Sequence, residues 1–112
     1  MQNLSGLSEN ELIILSIVHR IRGKRKGIPS HEIYDVFRKI KEDISLSTLE
    51  VLLKRMWFAG VLDLKYRKKE GFEVIWVYKT IADEDFEKLA QSDERLKKIL
   101  ELLEKATEEF TS

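Results

Sequence analysis

Apolar residues along the chain change their spacing twice, and each change marks a different kind of element. From Leu12 to Met56 they recur at three- and four-residue intervals, the repeat of helices with one buried face. Leu12, Leu15, Ile17, Val18 and Ile21 predict a first helix from about Glu9 to Arg22. Ser8 with Glu11 three residues later forms a capping box, and Leu7 with Leu12 closes a hydrophobic staple around it. Gly23 and Gly27 stop that helix and bracket the exposed run Lys24-Arg25-Lys26. Ile28 starts a strand of one or two residues, and Ser30 is the expected N-cap of a second helix. Ile33, Val36, Phe37 and Ile40 are its stripe, and it ends around Lys41–Asp43. Leu49, Leu52, Leu53 and Met56 repeat the same spacing in a third helix. Its N-cap is either Ser45, or Ser47 with Glu50 as capping-box partner, and Gly60 stands where a left-handed residue ends a helix.

The period then drops to two. Val61–Arg67 alternates, as does Glu73–Lys79 in part, so two strands are expected. Lys68-Lys69-Glu70-Gly71 reads as the loop between them, with Gly71 at positive φ. Helical spacing returns after Ile81. Asp83-Glu84-Asp85 suits a helix N-terminus, and Phe86 and Leu89 are expected to pack back on the preceding part. Ser92 is a candidate cap for a new helix beyond it. Leu89, Leu96, Leu103 and Phe110 stand seven apart, with Ile99 and Ala106 at the other seam position of a heptad. Three helices followed by a two-stranded hairpin is the order of a winged helix-turn-helix, a mainly α fold with a small β-hairpin. In that design the third helix, about 46–58, enters the DNA major groove, and the wing, 61–79, touches flanking backbone. Residues 1–80 form the expected DNA-binding domain and residues 81–112 an acidic helical tail.

Charge first opposes this reading and then supports it. The 112 residues, enough for one domain, carry 20 basic and 20 acidic side chains, a net charge of zero, where a nucleic-acid binder is usually basic. The balance is uneven along the chain: residues 1–80 hold 15 basic and 10 acidic side chains, residues 81–112 hold 5 and 10. A basic working part and an acidic appendage are thus joined near Ile81. No apolar run reaches a membrane span, and the first residues lack a signal peptide's basic-then-apolar order. The absence of cysteine removes disulfides, thiolate chemistry and cysteine metal sites, and makes a reducing cytoplasm the default location, to which the DNA-binding reading adds nucleoid association. Many Lys and Glu beside two Gln and two Asn lean towards a thermophile.

The stretch Leu46-Ser47-Thr48-Leu49-Glu50-Val51-Leu52-Leu53-Lys54-Arg55-Met56, closed by Gly60-Val61-Leu62, resembles the recognition helix of PadR-like transcription regulators. His31-Glu32-Ile33 resembles that family's second-helix Tyr-Glu-Ile, and Trp76-Val77-Tyr78-Lys79-Thr80 resembles its last wing strand. The resemblance spans roughly residues 8–80, with a helical tail where the family dimerises. It implies a homodimeric, sequence-specific regulator of double-stranded DNA. The chain departs from the family at Glu50, where an aromatic is usual, and at Ser47, where glycine is usual, so the operator sequence does not carry over.

On these grounds Ser47, Thr48, Glu50, Val51, Lys54 and Arg55 are the candidate base and phosphate contacts. Arg67, Lys68 and Lys69 at the wing tip, with Lys24, Arg25 and Lys26 in the first loop, are candidate backbone contacts; read alone, a charge run is a solvated loop. Glu50 either caps its own helix, the preferred reading, or accepts from a cytosine amino group. Val51 touches a thymine methyl or packs under the wing. Ordinary packing of Trp57 and Phe58 on the C-terminal helix is preferred to a dimer interface or a ligand pocket. For Leu96, Ile99, Leu103, Ala106 and Phe110, pairing between two copies is preferred to docking within one chain, because so apolar a tail exceeds what the preceding domain readily covers. His19 and His31, the two histidines, have no carboxylate partners at ligand spacing, and no phosphate loop or nucleophile–base set occurs. No enzyme, metal or cofactor is expected, and no residue pattern calls for a small-molecule effector, though the resemblance allows one. Two other readings use the same fold: a plasmid-partition or chromatin protein, and a protein-interaction module, to which the basic clusters would be superfluous.

Overall fold

The computed structural model describes the backbone of residues 6–21, 28–69, 71–78 and 83–111, and the side chains of residues 6–21, 28–63 and 84–107. Lys24, Arg25 and Lys26, with both glycines that bracket them, lie outside the described residues. The elements are α1 (Glu9–Ile21), β1 (Ile28–Pro29), α2 (Ser30–Ile40), α3 (Leu46–Phe58), β2 (Leu62–Lys69), β3 (Gly71–Tyr78), α4 (Asp83–Ser92) and α5 (Glu94–Thr111). This is a winged helix-turn-helix with a helical extension. Its three strands form one antiparallel sheet in the order β1-β3-β2.

The core is organised around α1. Ser8 and Glu11 form the reciprocal capping box: the Ser8 N–H donates to Glu11 Oε1 at 3.2 Å, and the Glu11 N–H donates to Ser8 Oγ at 3.3 Å. Beyond this cap every residue from Leu12 to Val18 is buried. An amphipathic surface helix leaves one side polar; seven successive buried residues mean a helix covered all round. Ser16 is tolerated within it because its hydroxyl donates to the Leu12 carbonyl at 2.7 Å. Part of the cover comes from α2, α3 and β3, and part from α5.

That cover changes the role expected of the tail. Leu96, Ile99 and Leu103 are buried in the hydrophobic cluster of their own chain, where α5 packs on α1 and α2, and Ala106 is buried as well. The Phe110 side chain lies outside the described residues. The tail's apolar residues looked surplus only while α1 was counted as having one apolar side. Residues on both sides of Ile81 belong to one hydrophobic cluster. The tail is also pinned at its start, where the Phe86 ring stacks on His19 at 3.9 Å and 18°. Arg20 pairs with Glu87 at 2.9 Å and lies over the Phe86 ring.

Two helix starts differ from expectation by one residue, and at a third the choice between two caps is settled, each for a local reason. Pro29 precedes α2 in extended conformation, because β1 runs through it to pair with Ile75 on β3, and Ser30 is already helical. As an edge strand, β1 accommodates a residue without an N–H. Ser45, not Ser47, caps α3, accepting from the Thr48 N–H at 3.1 Å. With Ser45 as cap, Ile44 and Leu49 occupy the two staple positions, and both are buried in the core. With Ser47 they would be Leu46 and Val51, and both of these are exposed. Asp93, not Ser92, caps α5 by accepting from the Arg95 and Leu96 N–H groups at 2.9 and 3.3 Å. The Ser92 hydroxyl turns back to the carbonyls of Lys88 and Leu89.

At the other end of α3, Gly60 has φ 79°. Its N–H donates to the Trp57 carbonyl and that of Val61 to the Met56 carbonyl, both at 2.9 Å, the paired bonds of a Schellman termination. The chain is thereby turned directly into β2. The hairpin is tighter than the expected four-residue loop: Lys69 pairs with Gly71, so Lys68, Lys69 and Gly71 belong to the strands and Glu70 alone separates them.

Candidate nucleic-acid interface

The site is built outward from the buried side of α3. Leu49, Leu53 and Met56 are fully buried and Leu52 is half-buried. At 100° per residue, the line opposite this stripe holds Ser47, Val51, Lys54 and Phe58. Thr48 and Arg55 flank it on one side, Glu50 and Trp57 on the other. All eight side chains are exposed.

Several of the candidates acquire definite roles. The Ser45 hydroxyl donates to Thr48 Oγ1 at 2.9 Å, so Thr48 is held with its own proton available to an outside acceptor such as a phosphate oxygen. No acidic residue stands in the first turn of α3, and the positive end of its dipole is left for an anion. Glu50 does not form the capping box preferred for it, because Ser47 is not the cap; its carboxylate stands on the exposed face. Val51 is exposed, which excludes burial under the wing. Lys54 and Arg55 supply two positive charges at mid-helix.

Trp57 and Phe58 correct another expectation. They do not pack on the C-terminal helix, because Met56 takes the core position and α5 docks on α1 and α2. Phe58 is 80% exposed and Trp57 37% exposed. Phe58 was absent from the candidate contacts, yet its place on the line with Ser47, Val51 and Lys54 is readable from their spacing of four, three and four.

The hairpin backbone carries Arg67, Lys68 and Lys69 to its tip, where they pair with Glu73, Phe72 and Gly71. Their side chains lie outside the described residues. Because β3 also pairs with β1, the wing is tied to the start of α2, and α2 packs on α3. Wing and helix thus share one scaffold. Arg20, next to the basic loop, is already committed to Glu87.

A cavity of about 870 Å³ opens among α1, α2 and α5, lined in part by Val36, Leu100 and Leu103 and by the carboxylates of Glu32, Asp35 and Glu104. With Arg20 as the one cation among its described lining residues, against these three carboxylates, the lining is acidic, unlike the α3 face. Among the described residues no group of three His, Cys, Asp or Glu side chains could hold a metal ion. Among them, too, no helix is long and apolar enough to cross a membrane.

Comparison with solved structures now bears on the arrangement. A PadR family transcription regulator from hypervirulent Clostridium difficile R20291 superposes with a TM-score of 0.56, over 94% of this chain and all of that one, at 18% sequence identity. The likeness is one of fold. No family model matches the chain, and no curated protein matches it.

Proposed function

We propose that the protein is a sequence-specific, double-stranded DNA-binding transcriptional regulator. In this reading α3 enters the major groove, and Arg67, Lys68 and Lys69 at the hairpin tip grip flanking backbone. The observation that carries it is the outward face of α3, where Ser47, Thr48, Lys54 and Arg55 stand away from the buried stripe, on a helix whose first turn holds no acidic residue. The +5 balance of residues 1–80, to which Lys24, Arg25 and Lys26 contribute, supports the same reading. Such work belongs at the nucleoid.

We further propose that two copies act on one site, about 34 Å apart on a palindrome. With the α5 stripe filled from within, contact between copies falls to other surfaces, among them Leu102, which α5 leaves 47% exposed. Fluorescence anisotropy against salt, with duplexes obtained by binding-site selection, tests the whole reading. Lys54→Ala and Arg55→Ala should relax sequence preference, each by about 1–3 kcal/mol, while Lys68→Ala should weaken all sequences alike and lower the salt slope by about one. Absence of binding to any duplex at low salt overturns it, and sedimentation of the complex counts the copies.

A further inference from the structure

Of the four side chains on the outermost line of α3, two are apolar. Val51 is 57% exposed and Phe58 80% exposed, while Ser47 and Lys54 complete the line. Single apolar residues on a surface need no explanation. Two of them on the centre line of a helix face, on either side of a lysine, form a pattern. The Phe58 ring is also braced: its centroid lies 5.0 Å from that of Trp57, tilted by 38°. The separation lies within the range over which aromatic rings attract. The ring is therefore held outward in a preferred place, where apolar burial can follow at small entropic cost.

In the major groove the base edges present hydrogen-bonding groups and one apolar group, the 5-methyl of thymine. We propose that Val51 and Phe58 are specificity-determining residues that read two thymine methyl groups, with Lys54 directed at the O6 and N7 acceptors of a guanine between them. This inference rests on the DNA-binding reading and deepens it. Seven residues of helix rise about 10.5 Å, or about three base steps of 3.4 Å, so the two thymines stand about three steps apart. Lys54 is three residues beyond Val51, about 4.5 Å, which places the guanine one step from the first thymine. A protein partner would also cover Val51 and Phe58. However, the centres of such interfaces are depleted in lysine, and here Lys54 stands between the two apolar groups. A polyanion with methyl groups in its groove meets both features.

The test acts on the DNA. A duplex selected by the full chain is remade with deoxyuridine at one thymidine after another, which removes the methyl and keeps the base pair. At two positions about three steps apart, affinity should fall by about three- to tenfold, the worth of one buried methyl. The other thymidines should be silent. Val51→Ala should abolish the loss at one position and Phe58→Ala at the other; both residues are exposed, so unchanged melting curves verify the fold. A duplex that binds equally well with every thymidine replaced overturns the inference and leaves the DNA-binding reading standing. Absence of binding to any duplex overturns both. If the two variants keep the thymine dependence but dissociate a self-associated species, the face is an interface between copies and the inference fails.

Discussion

Leu96→Ala separates a tail that completes the core from a tail that joins two molecules. Leu96 is fully buried against its own chain. Truncation removes its burial and leaves a cavity, for which Leu→Ala changes cost about 2–5 kcal/mol. Since α5 is enclosed on its inner side by both α1 and α2, collapse around the void is restricted, and about 3 kcal/mol is expected. A 112-residue chain has an unfolding entropy near 0.24 kcal/mol/K, so the midpoint should fall by about 12 °C. Urea and thermal unfolding followed by circular dichroism, at 2 µM and at 200 µM protein as roughly chosen limits, measure the loss. Within one chain the cost of the substitution is the same at both concentrations. If Leu96 sat in an interface, the hundredfold dilution would shift the coupled equilibrium by about 2.7 kcal/mol, and the cost would shrink or vanish at the lower concentration. Such a concentration-dependent cost refutes the intramolecular assignment.

The α3 cap gives a paired prediction: Ser45→Ala should destabilise by about 1 kcal/mol, or about 4 °C, whereas Ser47→Ala should stay within about 0.5 kcal/mol. Equal losses at the two serines, in the same melting assay, would show that the cap is shared. Asp93 adds a pH dependence. The Arg95 guanidinium hydrogen-bonded to its carboxylate, joined by the Leu96 and Arg95 N–H groups, holds Asp93 below the usual carboxylate range against the opposing effect of burial. Its contribution is present above the unfolded value of about 4 and is lost as pH falls through the lowered folded value. Asp93→Asn keeps a cap acceptor and removes this titration, so the stability gap between the two proteins should narrow as the pH falls below about 4. A constant gap across that range refutes the assignment.

How much of this was legible beforehand depended on whether a signal was local. The Ser8–Glu11 box, the Leu49–Met56 stripe and the Gly60 termination each involve residues within one turn or two, and the structure shows all three. The choice among Ser45 and Ser47, or Ser92 and Asp93, depends on where the chain enters a helix. That point is set by burial of a neighbour such as Ile44, and composition at the cap alone does not reveal it. The partner of the tail was harder still. Leu12–Val18 contains no charged residue, a sign that α1 needs covering on two sides, but identifying α5 as the cover requires tertiary packing across most of the chain. On the outward face of α3, Lys54 and Arg55 were plain from their type. Phe58 was obscured because a large aromatic is ordinarily assigned to a core.

The meeting of α1 with α5 also dictates an order of events during synthesis. α1 leaves the ribosome before α5, which covers part of it, so this core is completed only once α5 has emerged. At about 5–20 residues per second, α1 waits several seconds with one apolar side uncovered. Contacts between the two ends of a chain close the longest loop and form slowly for their size. A nascent chain paused before α5 is therefore the species on which a holdase chaperone or a neighbouring nascent chain can act, and the acidic C-terminal helix is the segment whose arrival ends that exposure.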